Sequence, residues 1–388
     1  MDTTLIVNPG SSSKKYALYK GSTEVFSVLF EKIESGFAQC VEVNNVRQAC
    51  EGVTAGQYDD ALIFALEQAR VLGILKDSSH IQRVGIRIVA PGTFFTVHRI
   101  IDTAYVRNLT AVRDAAPLHV PHQLAELALL RNVLPHARAI GVSDSAFHAT
   151  MPPHARRYSL PKKDAEAYDL YRFGYHGLSL SSVVRQLGSE MGRVPERVIV
   201  CHIGSGVSVT ALKNGRSVDT TMGFAPTSGL MMGARAGEID PSAFTYLFKR
   251  QGNDMDRTER AVSEEGGIKG MLGNGDLRIA LDRASRGDHE ASVALNMFIH
   301  GIRKAIGAMS AVLGGVDVLV LTGTAPERNP YVRTLVASGF EFLGITIDEK
   351  KNDDLGEHAG IFSDETGAIA RVVHTNEQYE IAAVATVL

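Results

Sequence analysis

The chain of 388 residues contains no apolar run approaching the ~18 residues that a bilayer-spanning helix needs. Its start, Met1-Asp2-Thr3-Thr4, has neither a basic segment nor a long apolar one, so no secretory leader and a cytoplasmic address are expected. Charge of one sign is also missing. The formal net charge is only −3 and lysine and arginine form no stripe, which makes nucleic acid and anionic membrane poor partners. Cysteine is scarce: Cys40, Cys50 and Cys201 are odd in number and lack metal-ligand spacing. Buried or idle thiols in a reducing compartment are therefore expected rather than bridges. Several chemistries drop out with their motifs. The sequence has no G-x-x-x-x-G-K-[ST] phosphate loop, no G-x-G-x-x-G at a strand–helix junction, no G-x-S-x-G nucleophile elbow and no H-E-x-x-H zinc helix.

What remains is a globular composition, 45% apolar and 21% charged with a mean hydropathy of zero, in a chain long enough for two or three domains. A repeat favours two. Leu5-Ile-Val-Asn-Pro-Gly-Ser-Ser-Ser-Lys-Lys-Tyr-Ala-Leu-Tyr-Lys-Gly21 is echoed without a gap by Ile199-Val-Cys-His-Ile-Gly-Ser-Gly-Val-Ser-Val-Thr-Ala-Leu-Lys-Asn-Gly215. Gly10 matches Gly204, Ser11 matches Ser205, Ala17 and Leu18 match Ala211 and Leu212, and Gly21 matches Gly215. Each copy reads as a β-hairpin, an apolar strand entering a Gly/Ser turn and an alternating strand leaving it. Small turn residues leave backbone N–H groups and hydroxyls available to an anion. Either turn alone is ordinary in an α/β protein; two in gapless repeat suggest phosphoryl transfer in a cleft between related domains.

Low-complexity tracts are absent, so organisation follows motif order. A helix is expected over 59–75, a strand over 83–89, and a helix over 124–134 after the proline-bracketed turn Pro117-Leu-His-Val-Pro121. The buried strand 139–144 ends on a carboxylate, Asp144, which suits either a ligand site beyond a strand end or a helix cap. Arg172-Phe-Gly-Tyr-His-Gly177 opens a helix over 179–187. The glycine-dense stretch 219–240 carries Arg235, and the apolar strand 316–321 runs into Thr322-Gly323-Thr324. A helix over 376–388 is placed to fold back on the first domain.

Phosphoryl transfer asks for cations around the equatorial oxygens, a metal and an aligned nucleophile. Arg87, Arg235 and His176, each at a strand end or glycine-rich turn, are the candidates for charge or donor; singly, each also reads as a surface ion pair or a structural histidine. Asp144 and Glu377 suit Mg²⁺. His119, between two prolines, either stabilises charge or locks a turn.

The chain resembles the acetate kinase family of the sugar-kinase/Hsc70/actin superfamily. The likeness runs over about 5–382 through Asn8-Pro-Gly-Ser-Ser-Ser13, Arg87-Ile-Val89, Pro117-Leu-His119, Asp144-Ser-Ala-Phe-His148, Phe173-Gly-Tyr-His-Gly177, His202-Ile-Gly204, the stretches 219–223 and 229–241, and Thr375-Asn-Glu377. The resemblance implies an α/β architecture with a duplicated ribonuclease-H-like (actin-like ATPase) fold, two domains with mixed sheets flanked by helices and an active-site cleft between them. Residues 1–145 with 377–388 would form the acyl-kinase domain, and 146–376 the nucleotide-binding and dimerisation domain. It implies a homodimer, Mg²⁺ (or Mn²⁺), and reversible transfer of the ATP γ-phosphoryl group to acetate or a similar short acid, giving acyl phosphate and ADP.

By position, Arg87, Asp144, His176, Arg235 and His119 would be catalytic, and Val89, Leu118, Tyr175 and Pro226 would line the acyl pocket with Arg87. Asn8, Ser11, Ser13, Lys15, His202, Gly204, Ser205, Gly206, Asp276, Leu277, Arg278, Gly323 and Glu327 would contact the nucleotide and its phosphates, and Asn8 and Glu377 the metal. Departures from the family pattern fall in four places, one of them the nucleotide-side turn, where His202-Ile-Gly-Ser205-Gly206 replaces His-Leu-Gly-Asn-Gly. Ala90-Pro91-Gly92 replaces His-Gly-Gly, Tyr175 and Leu180 replace phenylalanine and histidine, and Thr322-Gly-Thr-Ala-Pro326-Glu327-Arg328 replaces a glycine-rich loop. Loss of those glycines implies looser adenosine binding, with an alternative donor (pyrophosphate or GTP), a longer acid, or a non-catalytic sensor as the rival readings.

Overall fold

The computed structural model describes residues 3–10, 13–33, 36–44 and 46–388. The chain divides into two compact units, one running up to Ala146 and including Asn376–Leu388, the other Phe147–Thr375.

The first unit is built on a mixed sheet of β1 (Thr3–Pro9), β2 (Ser13–Lys20), β3 (Thr23–Ile33), β4 (Gly36–Val43), β5 (Val46–Arg47), β6 (Glu51–Val53), β7 (Ile81–Ile88), β8 (Arg99–Ile100) and β9 (Arg138–Ser143). Its order is β5-β4-β3-β2-β1-β7-β9-β8, with β6 also on β4. The central strands β1, β7 and β9 run parallel, and their Val/Ile/Leu runs are buried because helices cover the sheet. The second unit repeats the pattern with β10 (Arg197–Ile203), β11 (Val207–Lys213), β12 (Arg216–Thr220), β13 (Val318–Thr322), β14 (Gly360–Ile361) and β15 (Ile369–Val372), in the order β12-β11-β10-β13-β15-β14. Both sheets therefore hold the same five-strand core, an antiparallel meander followed by two parallel strands, β3-β2-β1-β7-β9 in one and β12-β11-β10-β13-β15 in the other. This is the duplicated ribonuclease-H-like arrangement.

The repeat is gapless in sequence but not in register. Leu5 lies opposite Leu18, whereas its counterpart Ile199 lies opposite Ala211. The second turn is one residue shorter, closing at Ile203 and Val207 where the first closes at Pro9 and Lys14.

Several elements differ from expectation. The helix expected over 124–134 is Val120–Val133: Pro121 sits in its first turn, where no N–H donor is needed, so only Pro117 belongs to the turn. The helix near the start of the second unit is longer than 179–187, running Gly177–Glu190. Cys40 and Cys50 are not idle thiols but a disulfide. Pairing of Gln39 with Glu51 between β4 and β6 carries Cys40 opposite Cys50, with Cα atoms 4.3 Å apart, so strand register brings together two cysteines whose sequence spacing is uninformative. Cys201 is free and buried, as expected. No helix among the described residues is long and apolar enough to cross a membrane.

The C-terminal helix Glu377–Val387 packs on β1 and β7 of the first unit. Gly85 in β7 makes this possible: a Cβ there would lie 2.7 Å from Ile381 Cγ2 and 3.0 Å from Ala385 Cβ. The close approach places Glu377, the first residue of that helix, beside the end of β7.

Candidate active site

Parallel strands gather ligand-binding residues at their carboxyl ends. In the first unit β1 delivers Asn8 there, β7 delivers Arg87, and β9 leads into Asp144, whose backbone N–H donates to Ile88 O at 2.9 Å. The Arg87 guanidinium lies between two carboxylates, 3.0 Å from Asp144 Oδ2 through Nη2 and 3.1 Å from Glu377 Oε2 through Nη1. Asn8 closes the group, accepting from Arg87 Nη1 and donating to Glu377 Oε2, each at 3.4 Å. Burial by itself would pull the Arg87 pKa down; Asp144 and then Glu377 outweigh it and hold it above the ordinary arginine value. Asp144 thus faces a cation, and its side chain is only 1% exposed. Two carboxylates and an amide oxygen are hard donors of the kind Mg²⁺ takes, one or two at a time, alongside phosphate oxygens and water. Among the described residues no three His, Cys, Asp or Glu side chains form a metal cage.

Around this group, Lys15 on β2 is paired with Asn8 across the strands, and Ser13 starts β2. Ser11 lies outside the described residues. Val89 is buried directly after β7, where its carbonyl accepts from Gln123 Nε2 at 3.2 Å. Leu118 is half-buried in the turn before the helix Val120–Val133, and His119 is that helix's N-cap residue.

The second unit assembles a different set. His176 adopts a left-handed conformation, φ 61°, as N-cap of Gly177–Glu190. Its ring stacks on His202 of β10 with centroids 4.1 Å apart. Nδ1 of His176 meets Ser208 Oγ at 2.9 Å, and Nδ1 of His202 meets Ser179 Oγ at 2.9 Å. The other nitrogen of His176, Nε2, comes up against Gly206, where a Cβ would sit 2.9 Å away. Glycine is what leaves that nitrogen room. Gly204 and Ser205 complete the turn, Ser205 exposed.

Arg235 is held by a backbone oxygen, its Nη1 donating to Pro226 O at 3.0 Å, with Met232 Sδ at 3.6 Å. No carboxylate among the described residues pairs with it, and burial lowers its pKa from the ordinary value. A guanidinium removed from water without a counter-charge is costly, and an anionic ligand relieves that cost. Tyr175 is buried, with its hydroxyl donating to Phe224 O at 2.5 Å, and Pro226 is buried two residues further on.

The remaining nucleotide candidates lie on two helix starts. Asp276 caps Leu277–Ser285, accepting from Arg278 N, and also forks the exposed Arg278 guanidinium. Gly323, φ 92°, joins β13 to the short helix Thr324–Arg328; a Cβ there would meet Ile203 O at 2.7 Å. Glu327 Oε1 accepts from Gly323 N at 2.7 Å and Thr322 Oγ1 at 3.0 Å. Pro326 falls in the first turn of that helix, so the glycine-poor stretch is an ordered turn and not a deformed loop.

Sequence reasoning missed Arg333. It is fully buried and holds this turn, donating from Nη1 to Pro326 O at 3.0 Å and Gly356 O at 2.9 Å, and from Nε to Asn352 Oδ1 at 2.6 Å. Its signal was an arginine on the apolar face of Pro330–Ala337, between Val332 and Val336. Ser179, Ser208 and Tyr158 carried no signal as single residues.

The sequence model of the acetokinase family matches residues 3–383. An acetate kinase of Sulfurovum sp. is 36% identical over 383 residues, covering 97% of this chain and 96% of the relative. One from Acetivibrio thermocellus is 36% identical over 392 residues, covering 97% of each. Among solved structures, Porphyromonas gingivalis acetate kinase matches with TM-score 0.87 at 31% identity, covering 100% of this chain and 99% of that one. A propionate kinase from Francisella tularensis matches with TM-score 0.91 at 28% identity over the whole of both chains.

Proposed function

This chain belongs to the acetokinase family, and we propose a division of labour by which its residues carry out ATP-dependent phosphorylation of a short carboxylate. It is a phosphotransferase with a carboxyl group as acceptor. Family membership favours ATP as donor over the pyrophosphate, GTP and sensor alternatives.

A carboxylate is already ionised at neutral pH, so the acceptor needs no general base. The protein's work is positioning and charge stabilisation. Arg235 is the observation that carries the proposal: its half-buried charge, with no carboxylate beside it among the described residues, suits the equatorial oxygens of a moving phosphoryl group. Arg87, steadied by Asp144 and Glu377, orients the acceptor carboxylate, and His176 donates from Nε2, with His119 in a supporting role. Val89, Leu118, Tyr175 and Pro226 supply the apolar wall for the acid. Ser11, Ser13, Lys15, His202, Gly204, Ser205 and Gly206 serve the phosphates; Asp276, Leu277, Arg278, Gly323 and Glu327 serve the nucleoside. Asn8 and Glu377, with Asp144 alongside, would hold Mg²⁺ (or Mn²⁺), which would supply charge neutralisation to the donor phosphates. The working form is proposed to be a cytoplasmic homodimer, where ATP is plentiful.

Trapping the acyl phosphate as its hydroxamate, with ATP, Mg²⁺ and acids from formate to hexanoate, tests the reading. Product is expected with acetate or propionate as best acceptor; no product with any two- to four-carbon acid overturns it.

A further inference from the structure

Arg235 has one oxygen partner among the described residues, the Pro226 carbonyl, so the direction of its guanidinium depends on where that carbonyl stands. Pro226 belongs to the turn 223–228, and two tyrosine hydroxyls grip that turn at one residue. Tyr158 Oη accepts from Phe224 N at 2.7 Å, and Tyr175 Oη donates to Phe224 O at 2.5 Å. The turn is closed by Gly223 N donating to Ser228 Oγ at 2.8 Å and by Phe173 N donating to Gly223 O at 3.1 Å. Gly223 must be bare because a Cβ would collide with Tyr158 Oη and Ser228 Oγ.

The two tyrosines come from separate segments. Tyr158 lies between the helices Pro153–Arg156 and Lys162–Ala167, and Tyr175 immediately precedes His176. Tyr175 therefore links the His176 backbone to the turn that holds Arg235, and its own carbonyl is fixed by His148 Nε2 at 2.9 Å. A buried phenol needs a partner, and a phenylalanine would fill either space without offering a tether.

We propose that Tyr158 and Tyr175 are positioning residues that set Arg235 for phosphoryl transfer by clamping the backbone on both sides of Phe224. The kinetic consequence rests on the acyl-kinase reading; the mechanical link does not.

Tyr158→Phe and Tyr175→Phe keep the rings and remove one oxygen each. Amide hydrogen exchange should accelerate over 223–228 and 232–236 in both variants while staying at the parental rate over 81–88. In turnover, kcat should fall about three- to tenfold, the scale of one lost hydrogen bond, with KM for ATP unchanged. In an Arg235→Ala background neither change should lower kcat further, because nothing is left to position. Parental exchange rates over 223–236 overturn the clamp, and equal losses of kcat in both backgrounds overturn its link to Arg235. If the parental protein phosphorylates no carboxylate, the functional reading fails, while the exchange rates still decide the clamp.

Discussion

Arg87 and Arg235 bring the same charge into opposite surroundings. Arg87 stands at the end of a parallel strand with a carboxylate on either side, and Arg235 stands in a glycine-rich stretch where its partners among the described residues are a carbonyl oxygen and a thioether sulfur. The first is electrically over-compensated without ligand, the second uncompensated. The contrast teaches that two arginines of equal promise in a motif need not do equal work. Under the proposed division of labour, Arg87 belongs to a preformed polar network that the acid and the cation would enter and rearrange, whereas Arg235 would be completed by an anion.

Removing each arginine breaks the comparison most directly. Arg87→Ala and Arg235→Ala should each cost about 10²–10⁴-fold in kcat, as losing a fixed charge at the transition state does. Their stabilities should part. Arg87→Ala takes away the cation that pairs with both the buried Asp144 and the half-buried Glu377, which costs up to about 3–5 kcal/mol, whereas Arg235→Ala removes a charge with no carboxylate beside it among the described residues and should unfold in urea close to the parental midpoint. Equal midpoints for the two variants would erase the distinction.

The acceptor side can be sharpened next. Val89 is 7% exposed just beyond Arg87, and trimming it to alanine should shift the ratio of kcat/KM for butyrate over acetate upward by about 10-fold or more, since a methylene in such a pocket is worth about 1–3 kcal/mol. An unchanged ratio removes Val89 from the pocket.

Glycine contacts come third. Gly206→Ala should press on His176 Nε2 and lower kcat without changing stability by more than about 1 kcal/mol, while Gly85→Ala should push the helix Glu377–Val387 off β7 and destabilise by about 1–3 kcal/mol. Urea unfolding and initial rates on the same preparations separate the two outcomes; a stable, fast Gly85→Ala would mean that the helix adjusts freely.

The smallest effect is on the alkaline side. Tyr16 donates to Glu126 Oε1 at 2.9 Å in the first unit, and burial, then the neighbouring Glu126, raises its pKa above the usual tyrosine range. The unfolded chain therefore loses that proton first once pH passes about 10. The stabilisation is complete below that pH and drains away above it. Tyr16→Phe should flatten the decline in unfolding free energy between about pH 10 and 11.5 by up to roughly 1.4 kcal/mol per pH unit; an unaltered slope would place the ionisation elsewhere.

Much of this was legible in the sequence because it was written locally. Strand β7 and the ends of β9 and β13 follow from apolar runs punctuated by glycine or a carboxylate, and the fold follows from a repeat that needs no coordinates. Residue chemistry pointed to Arg87, Asp144 and Glu377, the family likeness added Asn8, and the structure brings these four together. What was not legible depends on long-range placement. Nothing in the chain near Cys40 indicates that β6 will fold back along β4 and present Cys50. Nor does a tyrosine at 158 signal a bond to Phe224, 66 residues on, any more than Arg333 announces four acceptors on three other residues. The setting of Pro326 was hidden for a subtler reason: a proline spoils a loop that needs backbone donors but suits the first turn of a helix, and the surrounding geometry says which of these it occupies.

The one-residue difference between the two hairpin turns records something of the chain's history. If the halves descend from one ancestral unit, a one-residue slip in pairing, with no residue inserted or deleted, exchanged the two faces of the strand that follows the turn. In a sheet with one wet face such a slip would have turned its apolar side to solvent and been eliminated. Here Ala17 and Leu18 are buried in β2 and their counterparts Ala211 and Leu212 in β11, and nearly all of β11 is buried on both faces. A strand with no outside can be turned over without harm. The two copies thereby came to carry different groups at the ends of their first strands, asparagine beside a guanidinium in one and a histidine pair in the other, while keeping a matched Gly-Ser turn and a matched Ala-Leu pair.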